Sequence, residues 1–471
     1  MTENTVWWCL NLTDRTFFLD QHGCAKNQVD GELIITRLLN MGFTRTSAPE
    51  KADLIIVNSC GFIESAKKES LASVMEARAA FPRAKILLAG CLAERYAQDF
   101  TENLPEADGI LGNGDLALTD SAVEDLFKGK RPVIKAPQRG VACGERTELL
   151  SFAGSAFVKI TEGCDNRCSF CAIPLIRGRL RSRNPDEVTA EIKSLLGRGI
   201  FEINLIGQDL ASYGCGETDC GFSSPDGSSA LCSLLKKISA LEGTFWLRLL
   251  YIHPDHFDSG ILDVMKSDPR ILPYFDIPFQ SGDDSIIRAM NRKGSFSSYS
   301  SLVKRIREEI PHSCIRTTFL AGFPGETEEN AQASVQFLKE IESDWSGCFC
   351  YSREEGTPAF KMKHQVPQKT ARKRAEQLER LQSEITARRL QERCGKVYDV
   401  LVEEIIESTD NADEGLAVGR AWFEAPEVDG SFVIHYDRSD KSAAQNIRPG
   451  SIVKVQAAAS LGVDIDGEYA G

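Results

Sequence analysis

Along the first 130 residues, short apolar runs alternate with stretches of helical spacing. Thr16-Phe17-Phe18-Leu19-Asp20 reads as a strand, followed by a helix through Glu32-Leu33-Ile34 to Met41. Leu54-Ile55-Ile56-Val57 reads as a buried strand, followed by a helix from Ile63 to Ala80, and Lys85-Ile86-Leu87-Leu88-Ala89 is a third strand. This alternation predicts a parallel sheet covered by helices. The polar, Gly- and Pro-containing segment Lys128 to Thr147 reads as a connection.

A second β/α section runs from about Ser155 to Lys363. Its predicted strands are Phe157–Ile160, Glu202–Ile206, Trp246–Leu250, Phe275–Ile277 and Arg316–Leu320, separated by helical patterns such as Pro185–Arg198 and Tyr299–Ile310. Repeating units of this kind suit a full or partial β/α barrel. Cys215 to Ser229 reads as an interrupting loop. Val366 to Cys394 has helical spacing with eight Lys/Arg against four Glu and reads as a linker helix. From Val400 the runs Val400–Val402, Ser431–Ile434 and Ser451–Val455 suggest a small all-β barrel. The fold class is therefore α/β multidomain, with units at 15–130, 150–385 and 395–468.

Composition places the chain among globular proteins: 471 residues, 42% hydrophobic, 26% charged. No run approaches the ~18 apolar residues of a membrane span. Met1-Thr2-Glu3-Asn4 lacks a basic region leading into an apolar core, so no signal peptide is expected and the cytoplasm is the expected compartment. The net charge of −13 argues against direct nucleic-acid binding and suits a basic partner. Residues 400–471 carry 14 Asp/Glu and 5 Lys/Arg, or −9 of that total.

The chain, with fifteen cysteines, is too large to need disulfide staples, and in a reducing compartment grouped cysteines more often mean metal or redox chemistry than disulfides. Cys24, Cys60 and Cys91 each follow one of the first three strands, 36 and 31 residues apart. All three therefore fall at the carboxyl edge of one sheet, where open α/β sheets hold ligands. A three-thiolate metal site and three small core residues are the two readings.

Cys164, Cys168 and Cys171 form C-x₃-C-x₂-C directly after a strand. Three thiolates in one short loop suit three irons of a cubane cluster. A structural zinc or plain electron carrier wants a fourth ligand, and its local absence leaves one iron open. Cys348-Phe349-Cys350 alternates as a strand does. Cys215 and Cys220 lie in the loop, and Cys9, Cys143, Cys232, Cys314 and Cys394 are isolated.

The C-x₃-C-x₂-C loop, with Phe170 before its last cysteine, resembles the radical S-adenosylmethionine enzymes. The order of two three-cysteine sites narrows this to the methylthiotransferases of the MiaB/RimO family. Gly23–Asp30, Asn58–Ile63, Gly90–Tyr96, Ile173–Arg183, Gly207–Asp209, Asp276–Ser281 and Gly322–Thr327 carry the resemblance. Cys24–Asp30, Cys60–Ile63, Tyr351–Pro358 and Ala425–Gly430 resemble the RimO branch, with Ala25 replacing a usual Pro and Gln280-Ser281-Gly282 replacing Gln-His-Ala.

The resemblance implies a radical-core partial barrel, a C-terminal TRAM barrel, two [4Fe–4S] clusters and S-adenosylmethionine. Cys164, Cys168 and Cys171 would hold the radical cluster, and Cys24, Cys60 and Cys91 the auxiliary one. The implied reaction adds a methylthio group to the β-carbon of an aspartate in small-subunit ribosomal protein S-twelve, with electrons from a flavodoxin or ferredoxin. Such a C–H bond lies beyond acid–base side chains, and the six histidines offer no conspicuous His/Asp pair. Phe170, Gln208, Gly322, Pro324 and Gly325 are candidates for cofactor contact; packing and turn geometry are the other reading of Phe170 and the glycines. Arg177, Arg181 and Arg183 form a basic strip that either meets carboxylates or is solvated. A tRNA adenosine methylthiotransferase and a non-catalytic iron–sulfur protein are the competing functions.

Overall fold

The computed structural model describes residues 14–219, 222, 227–407 and 414–471; Cys9 and Cys220 lie outside them. The chain divides into two compact units. One holds the described residues up to Leu150 together with Glu162–Cys164 and Ala172–Arg179, and the other holds the rest.

The first unit is built on β1 (Thr16–Gln21), β2 (Thr44–Arg45), β3 (Leu54–Ser59), β4 (Lys85–Gly90), β5 (Gly109–Leu111) and β6 (Val133–Ile134). All pair in parallel, in the order β2-β1-β3-β4-β5-β6. Ile56, Leu87 and Ala89 join a core on one face, and Ile55, Val57, Ile86 and Leu88 join a core on the other. The period of two thus feeds both faces, and both are covered, as an all-parallel sheet requires. The predicted strands and helices are present, with helices at Ala25–Asn40 and Glu64–Ala80. Val133–Ile134 corrects the reading of 128–147 as pure connection: two residues at a sheet edge leave no apolar pattern to detect.

In the second unit β7 (Ser155–Lys159) opens the radical-core sheet. The short strands β8 (Thr161–Glu162) and β9 (Arg181–Ser182) flank the cysteine loop in sequence. Then come β10 (Glu202–Ile206), β11 (Trp246–Leu249), β12 (Ile271–Asp276), β13 (Cys314–Ala321) and β14 (Trp345–Cys350). The sheet is open and parallel, in the order β14-β13-β12-β11-β10-β7, so the barrel is partial. β12 begins four residues before the predicted Phe275, because Pro273 interrupts the apolar run.

The predicted linker helix, observed at Gln368–Gln391, is no linker. Ala371, Ala375, Leu378, Ile385 and Leu390 are buried, and Gln382 donates to the carbonyls of Ser343 and Asp344 just before β14. Most of its charges are exposed on the opposite face, which made it read as a linker, though Arg374 is buried.

The C-terminal segment is a closed barrel of β15 (Val397–Ile406), β16 (Glu414–Ala421), β17 (Phe432–Asp437), β18 (Ile452–Leu461) and β19 (Asp464–Tyr469), in the order β15-β16-β17-β19-β18. β16 and β19 escaped the sequence reading because Gly and Asp break their apolar pattern. Buried ion pairs join this barrel to the core sheet. Glu202 of β10 meets Arg420 of β16 at 2.6 Å and Arg248 of β11 at 2.8 Å. Arg248 also donates to the Trp422 carbonyl, and Tyr274 to Asp429.

Candidate cluster sites and family

In the first unit Cys24, Cys60 and Cys91 stand just past β1, β3 and β4. Cys24 caps the helix Ala25–Asn40 and Cys91 begins the helix Cys91–Asn103. A thiolate at a helix N-terminus is stabilised by the unpaired N–H groups there. The turns are made by glycine: Gly23 and Gly90 have φ near +90°, and a Cβ on Gly61 would lie 2.6 Å from the Cys91 carbonyl oxygen.

The three thiols are neighbours. Burial raises the pKa of Cys60, and Cys24 adds to the shift. Burial pushes Cys91 up to about 12; Arg177 opposes this, while Cys24 and Cys60 reinforce it. The Cys91 sulfur accepts from Arg177 Nη2 at 3.1 Å and from Asn113 Nδ2 at 3.6 Å. Arg177 is buried between Asp30, at 2.8 Å, and Glu162, at 2.9 Å.

Among the described residues no three Cys, His, Asp or Glu side chains close on one point, as a single ion requires. A cubane binds each thiolate to a different iron and so needs a wider spread. Clustered thiols with one charged and one amide donor, Arg177 and Asn113, aimed at a sulfur fit such a group, whose potential depends on those hydrogen bonds.

The basic strip is corrected by this geometry: Arg177, Arg181 and Arg183 are all buried, none solvated. Arg183 pairs with Glu191 and donates to the Lys159 carbonyl. Nothing in the strip's spacing announces that its carboxylate partners lie inside.

The cysteine loop begins in the first unit, where Cys164 N–H donates to the Gly178 carbonyl. Its remainder lies in the second. There Cys171 N–H donates to the Cys168 carbonyl, and Arg167 takes φ +52° between the first two cysteines. Phe170 packs on Ile286, Met290, Phe323, Tyr351 and Ala359. Gln208 follows β10. Gly322, Pro324 and Gly325 form the turn after β13, with Gly322 at φ +79° and Gly325 at +85°. Glu326 accepts from the Gly322 and Phe323 amides and pairs with Arg374, fixing that turn from within.

One constellation went unread in the sequence. Asp209 is buried and accepts from His256 Nδ1 at 2.8 Å, Ser212 Oγ at 2.6 Å, Asn166 Nδ2 at 3.0 Å and the His253 amide at 3.1 Å. Burial alone would raise its pKa; the His256, Ser212 and Asn166 hydrogen bonds outweigh it and hold the carboxyl well below the usual range. His253 in turn faces Cys168, with Nε2 3.9 Å from Sγ. The i, i+3 histidine pair beside Gly207-Gln208-Asp209 was the available signal, but nothing in one dimension joins positions 47 apart.

The Uncharacterized protein family UPF0004 matches residues 16–112, the Radical SAM superfamily 158–338 and the TRAM domain 394–469. The ribosomal protein uS12 methylthiotransferase RimO of Treponema denticola is 51% identical over 465 residues, covering 95% of this chain and 99% of that protein. The chain belongs to the RimO family. RimO of Desulforamulus reducens is 38% identical, with 95% of this chain and 98% of that protein covered. Among solved structures, the radical S-adenosylmethionine methyltransferase TsrM of Kitasatospora setae aligns with TM-score 0.51 at 15% identity, over 74% of each chain, a likeness of fold. Radical SAM membership brings a [4Fe–4S] cluster and S-adenosylmethionine to this RimO-family chain. Among the described residues no helix is long and apolar enough to cross a membrane.

Proposed function

We infer that this protein is a ribosomal protein methylthiotransferase, which inserts a methylthio group at the β-carbon of an aspartate in ribosomal protein uS12. One observation carries this: 51% identity to a RimO along nearly the whole length of both chains. Cys164, Cys168 and Cys171 hold the radical cluster, and Cys24, Cys60 and Cys91 hold a second, auxiliary cluster. When bound, the radical cluster and S-adenosylmethionine supply the one-electron chemistry that removes hydrogen from an unactivated C–H bond.

The chain's own residues then bind and orient. Phe170 offers an apolar wall beside the cysteine loop, and Gln208 with the Gly322–Gly325 turn offers polar and backbone contacts to the cofactor. Arg177 holds the Cys91 sulfur against a fixed positive charge. The C-terminal barrel recognises the basic substrate protein through its acidic surface. Glu403, Glu424 and Asp429 are buried, as is Arg420, which leaves eleven acidic against four basic residues in that segment. A flavodoxin or ferredoxin delivers electrons, and the enzyme works in the cytoplasm.

The test is an anaerobic reaction of the reconstituted protein with S-adenosylmethionine, a strong reductant and sulfide. Ribosomal protein uS12 and an isopentenylated tRNA anticodon stem-loop are offered separately, and products are read by mass spectrometry. A methylthio mass gain on the aspartate is expected. A gain on the tRNA alone would overturn the substrate and keep the chemistry.

A further inference from the structure

Cys168 has a neighbour that the family reading does not assign. His253, just beyond β11, is buried, and its Nε2 lies 3.9 Å from the Cys168 sulfur, which is buried too. The state of the ring is fixed by its other nitrogen. The backbone N–H of Asp255 donates to His253 Nδ1 at 3.2 Å. An Nδ1 that accepts a hydrogen bond carries no proton, so the ring's proton sits on Nε2 and faces the thiolate.

Two further contacts hold the residue, one at its backbone and one at its ring. Its own amide donates to Asp209, and its ring stacks on His256 with centroids 5.0 Å apart. Asp209 is tied to Asn166 of the cysteine loop. The loop and the histidine are therefore held by one carboxylate. The buried guanidinium of Arg292 lies against the same sulfur.

We propose that His253 is a positioning residue that donates its Nε2–H to the Cys168 thiolate and raises the reduction potential of the cluster held there. The proposal rests on the reading of Cys168 as a cluster ligand. An N–H donor draws charge from a ligating sulfur and so favours the reduced cluster, one of the means by which proteins set iron–sulfur potentials. The same tautomer excludes a competing role. The ring's one lone pair is engaged by Asp255, so His253 does not close the open iron as a fourth ligand, and that position stays available to S-adenosylmethionine.

The experiment is an EPR-monitored redox titration of the full-length, reconstituted protein, following the signal that changes when S-adenosylmethionine is added. His253→Leu removes the donor and His253→Gln keeps an N–H at similar reach. The midpoint should shift to lower potential in His253→Leu and lie between that value and wild type in His253→Gln. A fully loaded His253→Leu protein with the wild-type midpoint overturns the proposal. Should the leucine variant fail to load iron, wild-type protein labelled with ¹⁵N-histidine decides. Pulsed EPR of the reduced cluster shows a histidine nitrogen coupling that His253→Gln abolishes, and its absence from the wild type overturns the proposal. Cys168→Ala separates the two readings: loss of the S-adenosylmethionine-sensitive signal there upholds the ligand, whatever His253 does.

Discussion

Arg177 and Cys91, 86 positions apart, meet at 3.1 Å between guanidinium and sulfur. The contact places a buried cation on one sulfur of the N-terminal thiol group. The same cation neutralises Asp30 and Glu162, both inside the protein. Removing it leaves two buried carboxylates without a counter-charge, a change that costs about 3–5 kcal/mol when a buried pair is broken. Arg177→Met should destabilise the first unit by that order in denaturant unfolding and lower iron bound at the N-terminal site. Arg177→Lys keeps the charge but loses the fork that reaches both carboxylates, and should fall between the two.

On the proposed assignment, the two cysteine groups divide the chemistry. Replacing Cys24, Cys60 and Cys91 by Ala should halve the iron content and abolish methylthiolation, while reductive cleavage of S-adenosylmethionine continues. Replacing Cys164, Cys168 and Cys171 should abolish both. Iron analysis, chromatography of the nucleoside product and mass spectrometry of uS12 read these outcomes. Methylthiolation surviving the first set would remove the auxiliary cluster from the mechanism.

The barrel's role needs a test gentler than deletion. Its residues supply Arg420 and Asp429 to buried partners on the core strands, so truncation would uncover Glu202, Arg248 and Tyr274. Glu404, Glu407 and Glu468 are exposed, and their joint replacement by Lys moves residues 400–471 from −9 to −3. Modification of uS12 should slow and lose its salt dependence, with S-adenosylmethionine cleavage unchanged. An unaltered rate and salt profile would place substrate recognition elsewhere.

Glu202 anchors the buried charges beneath the barrel. Glu202→Ala leaves Arg248 and Arg420 facing one another in the interior. The expected loss is again about 3–5 kcal/mol, read as a lowered unfolding midpoint. N-terminal iron loading should be unaffected.

On the barrel surface His435 bridges Glu414 and Asp466, each at 2.7 Å. Burial lowers its pKa, but the hydrogen bonds to the two carboxylates outweigh that and leave it raised. A raised folded value means the protonated ring favours the folded state. The contribution is full below the unfolded value of about 6.5 and is lost as pH rises through the folded one. The melting temperature of the wild type should therefore decline across that interval more than that of His435→Gln.

Much of this arrangement was legible in one dimension. β10 (Glu202–Ile206) carries the range its apolar run predicts, and the placement of Cys24, Cys60 and Cys91 at one sheet edge followed from the β/α period alone. What stayed hidden depends on partners far apart in sequence. The burial of Arg183 needs Glu191 folded against it, and the link from Asp209 to His253 and on to Cys168 spans three separate elements. β19 was hidden because Asp464, Asp466 and Gly467 read as breakers until neighbours on both sides complete the strand.

Closure of the C-terminal barrel has a consequence for how recognition can evolve. With β15 paired to both β16 and β18, the closed ring leaves, among the described residues, little strand edge on which a peptide could be added as an extra strand. On the proposed reading, the basic partner is then read chiefly by outward side chains, which the barrel's interior does not constrain. Affinity for a different basic protein can thus drift one surface carboxylate at a time, leaving every backbone hydrogen bond of the ring in place.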